Sequence, residues 1–149
     1  MKRNKIIIGS SDKIDFPELT LTNVPCKIDT GAMTSSIHCH HVKLIEKNGE
    51  DYVTFKLLDP SHPLYQKKAL RAKHFEERRI KNSFGQSEYR YVITTKVILF
   101  GEEIEAEFTL ADRERMRYPV LLGKKLLKGN FIVDVSKRNL SYKKKAQEL

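Results

Sequence analysis

Short stretches in which apolar and polar residues alternate dominate the chain, and this period of two is typical of half-buried β-strands. The clearest alternation lies at residues 51–58, where polar side chains separate Val53, Phe55 and Leu57. Residues 89–100 are rich in Val, Ile, Thr and Tyr, which strands favour. The same signals predict strands at residues 5–9, 24–28, 36–46, 70–81, 103–110, 120–122, 131–135 and 139–142.

Turn signals separate these stretches. Asn48-Gly49 predicts a hairpin, and the prolines at 60 and 63 exclude a regular strand from residues 59–63. Residues 124–128 predict a single helical turn that ends at Gly129. Many short strands without alternating helices favour an all-β barrel or sandwich. We expect one domain over residues 1–142, followed by a frayed basic tail at residues 143–149.

Composition narrows the class of protein. The chain has 149 residues and a formal net charge of +9, which attracts anionic partners such as RNA or acidic peptides. It has two cysteines, Cys26 and Cys39, for which we expect reduced thiols, with a disulfide left open. No apolar stretch has the length of a membrane span or a signal peptide. These features predict a cytoplasmic protein that does not bind a membrane.

Asp29-Thr30-Gly31 is the sequence feature that points to chemistry. It follows directly on the strand predicted at residues 24–28, so a carboxylate would stand at the end of a β-strand. Glycine tolerates a tight backbone and allows another chain to approach closely, and the threonine hydroxyl can lock the loop. The triplet alone occurs often by chance as an ordinary turn.

A second element makes the triplet more specific. Tyr118-Pro119-Val120-Leu121-Leu122-Gly123 is followed by Lys124-Lys125-Leu126-Leu127. The order of the two elements resembles retropepsins, in which an Asp-Thr-Gly-Ala loop is paired with a later apolar strand that ends at glycine and is followed by a short helix. We therefore expect Asp29 and Gly123 to lie close together.

Residues 5–136 resemble a bacterial retropepsin-like family formerly labelled putative ATP-dependent zinc proteases. The stretches that carry the resemblance are residues 27–35, 111–116, 118–123 and 131–134. The resemblance implies a retropepsin-like β-barrel with one short helix after Gly123, and an association with ATP-grasp amino-acid ligases. This chain differs from the family at Met33 and Lys124, since arginine usually occupies both positions.

The resemblance also implies an aspartic endopeptidase that cleaves a peptide or protein and needs no cofactor. Two carboxylates that share one proton would activate water, so two copies of Asp29 must meet in a homodimer. The residues expected to support the active-site loop are Thr30, Gly31, Ala32, Thr34 and Gly123. The candidates for contact with substrate are His38, Phe84, Gly85, Arg113 and Lys124, with Phe84 and Gly85 at the tip of a hairpin flap; residues 47–51 form a second candidate flap.

Several other interpretations compete with this one. His38-Cys39-His40-His41 suggests zinc, but neighbouring strand residues point to opposite faces, so only two ligands would converge and no metal site is expected. Asp112 is either a second in-chain carboxylate or part of an ion pair with Arg113. Nucleic-acid binding is disfavoured because no recognition motif accompanies the charge. The alternative function is a non-catalytic peptide-binding or regulatory module on the same fold.

The charge pattern leads to one further hypothesis about substrate. Five basic residues fall within or beside the two motifs that should meet: Lys27, Arg113, Arg115, Arg117 and Lys124. Cations around one cleft would concentrate an anionic chain. We therefore expect an acidic, glutamate-rich peptide, although these side chains could equally serve only to solvate the surface.

Overall fold

A computed structural model of the chain describes residues 4–58, 62–81, 84–111 and 117–148. These ranges contain eleven strands, two α-helices and a 3-10 turn at Pro17–Leu19. The strands are β1 (Ile6–Ile8), β2 (Ser11–Phe16), β3 (Leu21–Ile28), β4 (Ser35–Lys47), β5 (Glu50–Leu57), β6 (Leu70–Ala72), β7 (Phe75–Lys81), β8 (Ser87–Leu99), β9 (Glu102–Ala111), β10 (Val120–Leu122) and β11 (Phe131–Val133). The helices are α1 (Lys124–Leu127) and α2 (Leu140–Gln147).

The apolar positions of the alternating stretches form the core. Val53, Phe55 and Leu57 of β5 are fully buried, as the period of two predicts. Phe16 of β2 and Phe108 of β9 meet edge to face, with ring centroids 5.2 Å apart. The chain is therefore a mostly β domain with one contiguous core between its strands.

The connectivity of one short strand positions the functional loop. Nine strands form a sheet in the order β10-β3-β2-β8-β9-β4-β5-β6, with β7 paired to β8. The strand β10 runs parallel to β3 and also pairs antiparallel with β4. Because β3 and β4 flank β10, the loop that connects β3 to β4 must cross its carboxyl end. The strands β1 and β11 form a separate parallel pair.

The structure corrects the prediction at the end of the chain. The strand predicted at residues 139–142 is wrong, because Asn139 adopts a left-handed conformation and α2 begins at the next residue. The buried carboxylate of Asp12 accepts hydrogen bonds from the amides of Ser141 and Tyr142, at 2.9 and 3.1 Å. A carboxylate at the amino-terminal end of a helix accepts hydrogen bonds from amides that have no partner within the helix.

The last residues described are also held against the sheet. The helix α2 crosses the boundary predicted between residues 142 and 143, and Lys145 donates to Asp15 and Asn23 at 2.8 Å each. The expected frayed tail is therefore helical as far as Gln147, and the fold has a second α-helix besides the one after Gly123. The strand β2 was not predicted from the alternation of apolar and polar residues, because its polar residues Ser11 and Asp12 are buried.

Two further expectations concern the cysteines and membranes. Cys26 and Cys39 are both buried and are not joined to each other, so the disulfide left open by the sequence is not formed. Burial, with a smaller contribution from the nearby Asp12 charge, raises the pKa of the Cys26 thiol.

Across the described ranges, none of the helices has the length and apolar character that crossing a membrane would require.

Candidate active site

Asp29 stands at the carboxyl end of β3, beside the end of β10. Its amide donates to the carbonyl of Leu122 at 2.9 Å, which continues the parallel pairing of Ile28 with Leu122 by one residue. Gly123 follows directly on that carbonyl. The predicted proximity of Asp29 and Gly123 is confirmed.

The turn after Asp29 orients its carboxylate. The amide of Gly31 donates to Asp29 Oδ1 at 3.1 Å, and the amide of Ala32 donates to the Asp29 carbonyl at 3.2 Å. An ionised carboxylate is stabilised by such donors, and a bond from the backbone fixes its direction better than a bond from a flexible side chain. The Asp29 side chain is only partly buried, so water can reach it.

Gly123 allows the loop to lie directly on the start of α1. A Cβ atom at this position would lie 2.7 Å from the carbonyl carbon of Thr34 and 2.9 Å from the carbonyl oxygen of Ala32. The Gly123 amide donates to Ser35 Oγ at 3.0 Å. The next two amides, of residues 124 and 125, donate to the carbonyls of residues 32 and 33 at 2.8 and 3.0 Å. Any side chain at Gly123 would therefore push the loop off the helix.

A cleft of about 980 Å³ opens beside the loop. Residues 31–34 line one side of it, and the hairpin formed by β7 and β8 lines the other. Its floor includes Ser36 of β4, Thr109 of β9 and Leu121 of β10. These dimensions are those of a site for a ligand larger than a single amino acid.

The cleft is strongly basic. Seven cations line it and, among the described residues, no acidic side chain does; the cations are Arg78, Arg79, Lys81, Arg90, Lys124, Lys125 and Lys128. Three of them have carboxylate partners: Arg78 and Lys125 bind Glu107, and Arg90 binds Glu88. The hydrogen bond from Lys125, together with the charge of Arg78, lowers the pKa of Glu107. The other four form no ion pair with any residue in the described ranges.

Among the predicted substrate contacts that the structure describes, one lines the cleft and three do not. Lys124 lines the cleft. His38 is buried and does not line the cleft, and its amide donates to Pro119 at 2.7 Å. Phe84 is 88% exposed and lies with Gly85 in the turn between β7 and β8, outside the cleft lining.

The prediction that five basic residues surround the site is also corrected by the structure. Of the three that the structure describes, Lys124 lines the cleft, while Lys27 lies on β3 outside it and Arg117 lies over the ring of Tyr118. Arg113, Arg115 and Asp112 lie outside the described residues.

Most of the cleft cations come from β7 and β8, which the sequence reasoning did not connect with the site. Arg78 and Arg90 are cross-strand partners on that hairpin. The available signal within residues 75–81 was limited to Arg79 and Lys81, which are two positions apart and so share one face of a strand. The second candidate flap, at residues 47–51, joins β4 to β5 and does not line the cleft.

The histidines of β4 do not assemble a metal site within the described part of the chain, where no group of three potential ligands converges. His40 stacks on Tyr65 with ring centroids 5.8 Å apart and contacts His41 edge to face. His41 has a positive φ of 53° at an irregularity in the pairing with β5. The local chain thus departs from the simple alternation assumed for the zinc interpretation.

Comparisons with known proteins identify relatives over most of the chain. The family model described as RimB-like, retropepsin-like aspartic endopeptidase RimB, matches residues 7–144. A probable alpha-L-glutamate ligase of Shewanella pealeana is 37% identical over 140 residues, which cover 91% of this chain and 30% of that protein. A protein of the same description from Desulfotalea psychrophila is 36% identical over 134 residues, covering 87% of this chain and 28% of that protein. The chain therefore spans less than a third of the length of these relatives.

A solved structure shares the fold. The crystal structure of Lpg0085, a protein of unknown function (DUF785) from Legionella pneumophila, superimposes with a TM-score of 0.74 at 24% sequence identity. The match covers 93% of this chain and 99% of that one. At this level of identity the likeness concerns the fold alone.

Proposed function

This chain belongs to the RimB-like family of retropepsin-like aspartic endopeptidases, and on that premise we propose that it hydrolyses peptide bonds with a water molecule activated by Asp29. The observation that carries the proposal is the hydrogen bond from the Gly31 amide to Asp29 Oδ1, in a loop held on Gly123 beside an open cleft. Asp29 does not line the cleft itself, but it lies two residues before Gly31, where the cleft lining begins, so its fixed carboxylate stands next to the space that a peptide would occupy. A general base needs such a position beside the substrate.

The mechanism requires a second carboxylate next to the first. Two carboxylates close together share one proton, because ionising both is costly. The ionised group takes a proton from water, while the protonated group donates to the carbonyl oxygen of the substrate. Each chain supplies one Asp-Thr-Gly loop, so we propose a homodimer in which two Asp29 side chains meet on the two-fold axis.

We further propose that the substrate is an acidic, glutamate-rich peptide. The excess of cations along the cleft supports this, since an anionic chain would be attracted from solution and held there. The relatives give independent support, because they are named probable alpha-L-glutamate ligases and contain a stretch similar to this chain. A peptidase and a glutamate ligase would then act on the same kind of acidic segment, so we also propose an ATP-grasp ligase as a partner.

Asp29→Asn tests the catalytic proposal. The amide keeps the size of the side chain but cannot accept a proton from water, so we expect peptidase activity to fall about a thousandfold or more. The melting temperature should stay close to that of the wild type. Asp51→Asn, an equivalent change at an exposed position of β5, is the matched control and should retain activity. Full activity in Asp29→Asn, or loss of wild-type activity on adding a chelator, would refute the proposal in favour of a metal site.

The dimer and the substrate are tested together by assay and sedimentation. Sedimentation velocity at the assay concentration should detect a dimer, and cleavage should favour an oligo-glutamate peptide over neutral and basic peptides. The preference should weaken as salt rises, since the Debye length falls from about 30 Å at 0.01 M to about 8 Å at 0.15 M. A monomer that binds the acidic peptide without cleaving it would establish the binding module instead.

A further inference from the structure

One side chain in the floor of the cleft has an unused polar atom. Thr109 is 3% exposed, and its hydroxyl Oγ1 has no hydrogen-bond partner among the residues that the structure describes. A buried hydroxyl without a partner costs roughly 1–3 kcal/mol compared with one that is hydrogen-bonded. The same residue lines the cleft, although the oxygen atom itself is buried, so a rotation about χ1 is needed to present the hydroxyl to a ligand there.

The pairing of strands places Thr109 among residues suited to bind a carboxylate. Ser36 of β4 is its direct partner, and Leu121 of β10 is in turn the partner of Ser36. All three line the cleft, so this row of side chains forms its floor. Cross-strand partners share a face of the sheet, and their Cβ atoms lie about 4.5–5.5 Å apart.

Two arginines occupy the next row on the same face. Val92 of β8 pairs with Thr109 and lies on the same face of the sheet. Arg90 is two residues from Val92 along β8, so its side chain lies on that face as well. Arg78 of β7 pairs with Arg90. Both arginines line the cleft, and each guanidinium group has five N–H donors. These are more than Arg78 uses on Glu107 and Glu76, or Arg90 on Glu88.

We infer that Thr109, with Arg90 and Arg78, forms a subsite that binds the side-chain carboxylate of an acidic residue of the substrate. This inference rests on the proposed function, because it assumes that the substrate lies in this cleft. The Thr109 hydroxyl donates to one carboxylate oxygen, and the guanidinium groups bind the other and neutralise the charge. Thr109 is thus a specificity-determining residue that is separate from the Asp29 loop.

The test measures peptide binding in the Asp29→Asn background, where cleavage does not interfere. Adding Thr109→Val removes the hydroxyl and keeps the shape of the side chain, so we expect the Kd of an oligo-glutamate peptide to rise about tenfold or more. Thr109→Ser keeps the hydroxyl and should bind nearly as well as the parent. An oligo-glutamine peptide of the same length should bind weakly to all of these variants.

Thr95→Val is the matched control. Thr95 is 5% exposed, lies on the adjacent strand β8, and does not line the cleft. Removing its hydroxyl should leave the Kd unchanged. The melting temperature of Thr109→Val should be equal to or higher than that of the parent, since the variant no longer buries an unpartnered hydroxyl.

The outcomes separate this inference from the proposed function. An unchanged Kd in Thr109→Val, an equal change in Thr95→Val, or no binding of the acidic peptide by Asp29→Asn would overturn the subsite. Cleavage by the wild type together with unchanged kcat/KM in Thr109→Val would overturn the subsite and leave the catalytic proposal standing. Binding that depends on Thr109 without any wild-type cleavage would support the subsite and overturn the peptidase.

Discussion

The loop of residues 29–34 and the hairpin of β7 and β8 face each other across the cleft, but different interactions hold them. Backbone hydrogen bonds fix the loop on β10 and α1, and the side chain of Ser35 accepts one more from the Gly123 amide. On the hairpin side, the strand β8 also pairs with β9, but ion pairs hold the side chains that line the cleft: Arg78 binds Glu107, and Arg90 binds Glu88.

This difference separates two roles. Backbone bonds tolerate little change in geometry, and proton transfer to or from Asp29 requires accurate positioning. Exposed ion pairs contribute little to stability, so the cations of the hairpin can be changed without unfolding the protein. The loop is therefore suited to chemistry, and the hairpin to the choice of substrate.

The largest effect is expected from Gly123→Ala, which displaces the loop of residues 29–34. The added methyl group would meet the backbone of residues 32 and 34 at distances below 3 Å, and backbone cannot move aside as a side chain can. We expect a loss of about 3 kcal/mol in the free energy of unfolding. Peptidase activity should fall about a hundredfold or more, because the Asp29 loop must shift. Urea unfolding and a cleavage assay measure the two effects.

Gly101→Ala is the control for that substitution. Gly101 has a φ of +73° and no atom within 4 Å of an added Cβ, so alanine there costs only backbone strain of about 1 kcal/mol. Its activity should match that of the wild type. Gly123 has a φ of −94°, which any residue adopts, so equal losses of stability in the two variants would show that its close contact with the loop is unimportant.

A smaller and more selective effect is expected from Arg79→Gln combined with Lys81→Gln on the hairpin. These two cations line the cleft without a carboxylate partner in the described ranges, so their charge is available to a ligand. We expect kcat/KM for an acidic peptide to fall about tenfold at low salt, with unfolding free energy unchanged within about 0.5 kcal/mol. Cleavage of a neutral peptide should change little.

The same loss of charge away from the cleft provides the comparison. Lys43→Gln with Lys47→Gln removes two exposed cations of β4. If this variant loses as much activity on the acidic peptide, the net charge of the protein attracts the substrate and the hairpin has no special role.

The two regions also differ in how far the sequence predicted them. Each of the two motifs, Asp29-Thr30-Gly31 and the strand that ends at Gly123, is a local pattern, and their proximity was predicted correctly because their order resembles that of retropepsins. The cations of β7 and β8 were missed because their place beside the loop depends on pairings between strands distant in sequence, of β9 with β4 and of β10 with β3 and β4. Residues 27 and 117 are near the motifs in sequence, yet they lie outside the cleft.

The helix α2 is a second case in which local sequence patterns did not predict the structure. Residues 139–142 have the composition of a strand end, but a buried carboxylate more than a hundred positions earlier, Asp12, holds the amides of Ser141 and Tyr142. No local pattern reports such a partner. Tertiary contacts decided the conformation over local propensity, which is a weak prior for short segments.

The smallest effect is expected from Glu107→Gln, which weakens a side-chain link between the two regions. Glu107 joins Arg78 of the hairpin to Lys125 of α1, and the hydrogen bond from Lys125 is the main cause of its lowered pKa. A carboxyl whose pKa is lower in the folded state stabilises the protein above its ordinary pKa, and this contribution is lost as the pH falls through the folded pKa. Because these side chains are partly exposed, we expect a difference of at most about 1 kcal/mol near neutral pH, shrinking below about pH 4. Urea midpoints of the variant, of wild type and of Glu105→Gln, an exposed neighbour on β9, measure it across this range. A difference that is the same at both ends of the pH range would mean that the carboxylate charge does not link the hairpin to the loop, and the two sides of the cleft would then be energetically independent.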